Sequence, residues 1–347
     1  MGCGYLTAPA HPCLNAPMAE SWILQCRPGF EAECATEADG EVLSEGVVRS
    51  ARALPLLGRV FARQAFREVA ALDALPAGNR IDPILAALAD HAGPVGAILL
   101  EHPDTDMGKE LAGFFKKFTP ALTAALAKRG LPVFRKAERR LHLLFTDSRQ
   151  VRIGFSVGGE GSPLPNGILR LKLPHEAPSR STLKLEEALL TFLDAAEREQ
   201  ALKPGLKAVD LGAAPGGWTW QMVKHSIRVI AVDNGPMQPA LLDSGIVEHR
   251  REDGFRFRPA KPVEWLLCDM VEQPQRIAAL MGDWLTRGDC RRALFNLKLP
   301  MKKRHESLQG CLDGLEARLR EAGLEYRLLC KQLYHDREEV TAYIGLQ

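Results

Sequence analysis

No apolar run in the 347 residues approaches the ~20 consecutive residues a helix needs to cross a bilayer. A helical integral membrane protein is therefore excluded. The N-terminus has no basic segment followed by an apolar one, so no secretory signal is expected. Met1-Gly-Cys-Gly-Tyr-Leu-Thr7 places its threonine one position too late for a myristoylation site. The eight cysteines (Cys3, Cys13, Cys26, Cys34, Cys268, Cys290, Cys311 and Cys330) include neither C-x-x-C nor a close pair. A disulfide framework and a zinc site are both unexpected, and no metal is predicted. These absences point to a cytoplasmic protein. At 46% hydrophobic residues, the chain can build real cores in two or three domains of about 150 residues each.

The net charge of +2 conceals a segregation along the chain. Residues 20–106 carry fourteen acidic residues against seven arginines. In 109–152 the balance reverses to +8: eleven basic residues (Lys109, Lys116, Lys117, Lys128, Arg129, Arg135, Lys136, Arg139, Arg140, Arg149 and Arg152) stand against Glu110, Glu138 and Asp147. Phe114, Phe115, Phe118, Phe134 and Phe145 are interleaved with this block. A concentrated positive field attracts phosphates whatever their sequence, so nucleic acid is the favoured partner, with Lys116, Lys117, Arg139 and Arg140 as expected phosphate contacts. The plain alternative is a solvated helix face and loop.

Three parts follow one another. Residues 1–18 are rich in Pro, Ala and Gly without periodicity, which predicts a disordered extension upstream of a natural start at Met18. The first folded part, 19–158, predicts strands at 22–26, 97–101, 141–146 and 152–157, and helices at 31–38, 83–91 and 109–128. Helices and strands mix there without a glycine-loop signature, as in an α+β binding module. A Pro/Gly-rich linker, 159–170, leads to the second part, 171–347. This part alternates as a doubly wound, mostly parallel α/β sheet should, with strands at 206–211, 228–232, 264–268 and 293–298 and helices at 181–196 and 308–322. Segments 325–331 and 340–346 are expected to form an antiparallel edge.

Within the second part, Asp210-Leu-Gly-Ala-Ala-Pro-Gly-Gly-Trp218 joins a strand to a helix through a glycine turn. Its glycines let backbone approach a ligand closely, and the following helix offers free N–H groups to a carboxylate. A dinucleotide loop would read G-x-G-x-x-G, whereas this one reads G-x-x-P-G-G, so S-adenosylmethionine is the better cofactor than NAD. Asp233 ends a strand 23 residues after Asp210, where an acid can accept from ribose hydroxyls, and Asp253 follows one element later, where it could take the adenine amino group. No D/N-P-P-aromatic stretch is present for amino methylation. Cys268 lies in a strand without a Pro-Cys loop and is expected to face the core. Asp269 and Lys298 remain at strand ends, and a lysine closing an apolar strand requires partners.

These residues resemble the FtsJ-like ribose 2′-O-methyltransferases. The likeness extends through Pro178-Ser-Arg-Ser-Thr-Leu-Lys-Leu-Glu-Glu187, Val232-Asp-Asn-Gly-Pro-Met237, Arg251-Glu-Asp-Gly-Phe255, Phe295-Asn-Leu-Lys-Leu-Pro-Met-Lys-Lys-Arg304 and Leu333-Tyr-His-Asp-Arg-Glu-Glu-Val340. It implies a Rossmann-like methyltransferase domain over 171–347 with a catalytic tetrad of Lys184, Asp269, Lys298 and Glu339. Glu339 is preferred to Glu338 because it directly precedes the valine of the last strand. By the same resemblance Ser181, Ala214, Pro215, Gly216, Gly217, Asp233, Asp253 and Asp269 bind S-adenosylmethionine. The implied substrate is the ribose 2′-oxygen of a cytidine in 23S rRNA, and the implied first half is a ferredoxin-like segment, 19–82, followed by a THUMP RNA-binding domain, 83–158. Cys26-Arg-Pro-Gly-Phe30 carries that part of the likeness. A monomer is expected.

Lys298 is the candidate base and Lys184 the candidate holder of the developing alkoxide. Burial and the Lys184 ammonium would lower the Lys298 pKa while Asp269 and Glu339 would raise it, a balance the sequence leaves open. The cluster His335-Asp336-Arg337-Glu338-Glu339 reads as salt bridging plus one catalytic glutamate. Action on a base or on another RNA such as tRNA, or RNA binding by an inactive methyltransferase domain, stays open at this stage.

Overall fold

A computed structural model of the chain describes residues 21–52 and 55–347, so the expected extension at 1–18 lies outside the described residues. The first half consists of β1 (Trp22–Cys26), α1 (Glu31–Ala38), β2 (Gly40–Ser44), β3 (Val47–Ser50), β4 (Ala62–Leu72), α2 (Ile81–Ala87), β5 (Ala97–Glu101), α3 (Asp106–Lys128), β6 (Arg140–Phe145) and β7 (Val151–Ser156). All seven strands form one sheet, ordered β2-β3-β1-β4-β7-β6-β5. Its first four strands pair antiparallel around β1, the arrangement of a ferredoxin-like unit, with a single 3-10 turn at Leu56–Gly58 in place of the second helix. The two expected parts, 19–82 and 83–158, share this sheet, in which β4 pairs with β7 from Arg67 opposite Phe155 to Leu72 opposite Val151. Sequence reading did not anticipate β4. Its first half is buried on both faces, Arg63 and Gln64 included, which removes the alternation that marks a half-exposed strand.

Helix α3 is anchored by Thr105, whose hydroxyl accepts from Gly108 N at 3.1 Å. Its buried stripe of Leu111, Phe115, Phe118, Leu122 and Leu126 packs on Leu141, Leu143 and Phe145 of β6. The phenylalanines threaded through the basic block are thus mostly core. Phe114 stacks on Phe118 with ring centroids 4.7 Å apart, and of the five only Phe134 is exposed.

The second half comprises α4 (Thr182–Phe192), α5 (Ala195–Ala201), β8 (Lys207–Leu211), α6 (Gly217–Lys224), β9 (Arg228–Val232), α7 (Pro239–Leu242), β10 (Val247–Arg250), β11 (Val263–Cys268), α8 (Pro274–Thr286), β12 (Cys290–Lys298), α9 (Arg304–Glu321), β13 (Tyr326–Lys331) and β14 (Glu339–Leu346). Its sheet runs β10-β9-β8-β11-β12-β14-β13. The first five strands are parallel, and β14 and β13 form the antiparallel edge. α4 and α6 cover one face and α8 and α9 the other, giving the doubly wound arrangement. Strand order reverses between β8 and β11, so a crevice forms at their carboxyl ends. The helix expected at 181–196 is two helices. Asp194 caps α5, accepting from Glu197 N at 2.8 Å while Glu197 accepts from Asp194 N at 2.9 Å.

The halves share a core: Phe30, Cys34, Leu56 and Phe61 of the first join Trp284, Leu308, Cys311 and Cys330 of the second in one apolar cluster. Into this seam β13 projects Lys331, whose buried ammonium donates to the carbonyls of Leu56 at 2.9 Å, Arg59 at 2.8 Å and Ala62 at 2.7 Å. The stretch expected as a linker is tied down. Ser162 N donates to Gln64 Oε1 at 2.7 Å, and Asn166 N to Glu101 Oε1 at 2.8 Å. Among the described residues no helix is long and apolar enough to cross a membrane.

Candidate active site

The carboxyl edge of the second sheet gathers four charged side chains. Lys298 ends β12 and stands in register with Glu339, the first residue of antiparallel β14. Asp269 follows β11 directly, and Lys184 reaches in from α4. Lys298 Nζ donates to Asp269 Oδ1 at 2.7 Å and also to Glu339. Lys184 Nζ lies 3.5 Å from Asp269 Oδ2 and pairs with Glu339 as well. Two ammonium groups are therefore cross-linked by two carboxylates. Glu338 turns away to Arg304, at 2.8 Å. Burial pulls the Lys298 ammonium down, but Asp269 and Glu339 outweigh it and hold Lys298 above the ordinary lysine value. That is the balance the sequence left open.

A buried polar chain, absent from the sequence reading, steadies Asp269. Asn296 Nδ2 donates to Asp269 Oδ1 at 2.9 Å, and Thr341 Oγ1 donates to Asn296 Oδ1 at 2.8 Å. Thr341 Oγ1 also lies 3.0 Å from Asp336 Oδ2. Burial, with the charge of Glu339 adding to it, raises the Asp336 carboxyl well above its usual range. Thr341 has one proton, which Asn296 Oδ1 and the Asp336 carboxyl are both placed to accept. The polar Asn296 within the apolar run Ala293-Leu-Phe-Asn-Leu297 was the available signal.

Beside the tetrad, the glycine loop turns from β8 into α6. Gly216 has φ of 116°, open to glycine alone, and a Cβ on Gly217 would stand 2.1 Å from Ser181 Oγ. α6 can therefore start against α4, where Trp218 Nε1 donates to the Ser181 carbonyl at 3.1 Å. Asp233 holds the loop, accepting from Ala214 N at 3.0 Å and Gly235 N at 2.7 Å. No side chain caps the N-terminus of α6, which leaves its first-turn N–H groups for a carboxylate. Asp210, bonded by Thr219 Oγ1 at 2.6 Å, is lifted by burial to about 7. A cavity of about 900 Å³ opens here, and its lining includes the tetrad, Ser181, Asp210, Ala214 and Pro215. Backbone cradle, free N–H groups and carboxylates suit a ligand bearing a carboxylate and cationic groups, as S-adenosylmethionine does.

Of the residues expected in the cofactor site, Ser181, Ala214, Pro215 and Asp269 line the cavity, while Gly216, Gly217 and Asp233 shape the loop behind it. Asp253 is the exception. It is exposed, accepts from Phe255 N at 2.9 Å and pairs with Arg256 at 3.6 Å, so its carboxylate organises its own turn and does not line the cavity. Cys268 is core, its thiol pushed up by burial to about 12. In the basic block Lys116 and Lys117 are exposed on α3, but the other two expected phosphate contacts are engaged within the protein. Arg139 lies 3.6 Å over the Phe155 ring and donates to the Ala92 carbonyl at 2.8 Å; Arg140 donates to the Gly158 carbonyl at 2.9 Å. Among the described residues no cluster of three His, Cys, Asp or Glu is arranged to hold a metal.

Comparison with known proteins gives concordant matches in both halves. A family model described as ribosomal RNA large subunit methyltransferase M, N-terminal, matches residues 79–157, and one described as FtsJ-like methyltransferase matches residues 177–283. The chain is 47% identical over 349 residues to the ribosomal RNA large subunit methyltransferase M of Methylococcus capsulatus, covering 94% of this chain and 98% of that one. It is 47% identical over 345 residues to the protein of the same name from Laribacter hongkongensis, covering 94% and 97%. For the one from Alkalilimnicola ehrlichii the values are 48% over 341 residues, covering 93% and 94%.

Proposed function

The chain belongs to the ribosomal RNA large subunit methyltransferase M family, and from that premise we propose that Lys298 takes the proton of a cytidine ribose 2′-hydroxyl in 23S rRNA as that oxygen accepts the methyl group of S-adenosylmethionine. One observation carries the assignment of residues: Lys184, Asp269, Lys298 and Glu339, from four separate elements, close into a single charge cluster on the edge that also bears the glycine loop. When bound, the donor supplies an electrophilic methyl group on a cationic sulfur. Ser181, Asp210, Ala214 and Pro215 are suited to hold it, with Asp233 bracing the loop.

A ribose hydroxyl attacks poorly until its proton leaves, so Lys298 Nζ takes that proton, and a bound donor would supply its methyl group to the oxygen and leave as the neutral thioether. With two ammonium groups and two carboxylates the tetrad is neutral, and loss of the Lys298 proton leaves one net negative charge that a cationic methyl donor offsets. Lys184, paired with Asp269 and Glu339, stabilises the developing alkoxide. Asp269 and Glu339 orient both lysines. Incubating the purified protein with radiolabelled S-adenosylmethionine and transcripts of 23S rRNA and tRNA tests this reading: label is expected in the 23S transcript, and label in tRNA alone would contradict it.

Two consequences bear on binding. Asp233→Ala is expected to weaken S-adenosylmethionine by about 1.5–3 kcal/mol, the value of hydrogen bonds to a charged group. Unchanged affinity by calorimetry would remove Asp233 from the cofactor site. For the RNA, the exposed Lys116, Lys117, Lys128 and Arg129 on and beside the end of α3 are better probes than Arg139 and Arg140. Neutralising all four is expected to flatten the salt dependence of rRNA binding by about 0.7 per lost contact to single-stranded RNA. Fluorescence anisotropy at several salt concentrations measures it, and an unaltered slope would leave these charges as a solvated face.

A further inference from the structure

The loop between β13 and β14 holds a histidine that the transfer step does not use. Glu187 lies three residues after Lys184 on α4 and is buried. It accepts from Tyr334 N at 2.8 Å and His335 N at 2.9 Å, and its Oε2 lies 2.6 Å from His335 Nδ1. A carboxylate only accepts, so Nδ1 carries the proton, and in the Nδ1–H tautomer Nε2 is left as an acceptor. Nε2 makes no hydrogen bond among the described residues, although the side chain is only 14% exposed and lines the cavity.

Position makes this acceptor informative. Along the sheet edge the order β8-β11-β12-β14 sets the glycine loop at one side of the tetrad and the loop leading into β14 at the other. Arg27 of the first half reinforces that far side, donating to the Tyr334 carbonyl at 2.8 Å and to that of Asp336. The Tyr334 ring meets His335 edge-on at 5.2 Å, fixing the imidazole from a second direction. An acceptor oriented by a buried carboxylate therefore stands across the tetrad from the cofactor loop.

We propose that His335 Nε2 receives the exocyclic amino group of the target nucleobase, with Glu187 as the residue that positions it. The proposal rests on reading the cavity as a ribose methylation site and deepens it by naming the group that selects the nucleotide. Cytosine presents the N4 amino group as a donor; uracil presents a carbonyl oxygen, which would set acceptor against acceptor. Such a mismatch is disfavoured, because neither group regains the hydrogen bond it leaves in water.

Two substitutions separate reading from scaffolding. His335→Asn keeps a donor where Nδ1 stands, and so the tie to Glu187, but has no atom at Nε2. His335→Gln places an amide oxygen near Nε2 and forgoes the tie. Both are assayed on a 23S rRNA transcript and on the same transcript with the methylated cytidine replaced by uridine. His335→Asn is expected to lower kcat/KM on the cytidine substrate roughly ten- to hundredfold and to shrink the cytidine-to-uridine ratio by a similar factor, with S-adenosylmethionine affinity unchanged. His335→Gln is expected to recover part of both losses. A His335→Asn enzyme with wild-type kcat/KM and wild-type ratio overturns the proposal, as does one that loses activity equally on both transcripts. Absence of transfer to either transcript by the wild-type enzyme would instead refute the underlying assignment of function.

Discussion

Lys298→Met is expected to lower kcat by roughly 10²–10⁴-fold, the range a positioned general base contributes, while S-adenosylmethionine binds within about twofold of wild type. Its proposed work is confined to the transition state, so loss of cofactor binding with preserved turnover would remove it from the mechanism. The electrostatics add a pH signature. A lysine near 10.4 is neutral in only about one molecule per thousand at pH 7.5, and the two carboxylates beside Lys298 make that fraction smaller. Because kcat/KM reports the free enzyme, its logarithm should rise with pH at a slope near one from about pH 8 to 10 without a plateau, above the range in which Asp210 titrates. A plateau reached near pH 7 would mean that another group, or a Lys298 with a lowered pKa, accepts the proton.

The largest effect on stability is expected at the seam between the halves. Lys331→Met leaves the carbonyls of Leu56, Arg59 and Ala62 without their donor, at about 1–3 kcal/mol each. Against this, methionine removes a buried ammonium whose burial, the main cause of a pKa lowered to about 8, amounts to about 3 kcal/mol. The carbonyls outweigh the charge, so a net loss of about 3 kcal/mol is expected at pH 7. The sign of the pH dependence follows from the depressed pKa. Between about 8 in the folded protein and about 10.4 in the unfolded chain, the unfolded state binds more protons, so wild-type stability gains with rising pH while a methionine cannot titrate. The gap between the two proteins should widen from pH 8 towards pH 10 in denaturant titrations. Equal midpoints at both pH values would mean that the seam does not depend on Lys331.

The fold was legible where local chemistry decides it. β1, α1, β5 and β9 have the bounds expected from their patterns, since an acidic stretch after Pro28-Gly29 favours a helix start and short β-branched runs favour strands. Elements decided by tertiary burial were not. β4 hides Arg63 and Gln64 within the protein, and nothing in that run announces a strand. The break between α4 and α5 was signalled by Asp194-Ala-Ala-Glu197. α8 carried its own signal, Pro274 at the start and apolar residues at 277, 280, 281, 284 and 285. The shared core could not be foreseen, because a Phe30 or Leu308 facing the other half is chemically the same as one facing its own sheet.

The candidate site divides in the same way. Asp269, Lys298 and the glycine loop stand at strand ends within recognisable stretches. The register that sets Glu339 opposite Lys298, the hydrogen-bond chain through Asn296, Thr341 and Asp336, and the clasp of His335 by Glu187 join residues far apart in the chain, and only the folded sheet brings them together. Asp253 follows the loop by one element, and in the folded chain its carboxylate accepts from Phe255 N and pairs with Arg256.

The most direct measurement is an alkaline hydrolysis ladder of 23S rRNA after incubation with the wild-type protein and S-adenosylmethionine, run beside the Lys298→Met product. A methylated 2′-oxygen cannot attack the adjacent phosphodiester, so the account predicts one gap in the wild-type ladder, at a cytidine, and a continuous ladder for the variant. An rRNA that has gained a methyl group yet gives a continuous wild-type ladder would place the modification on a base and contradict transfer to the ribose.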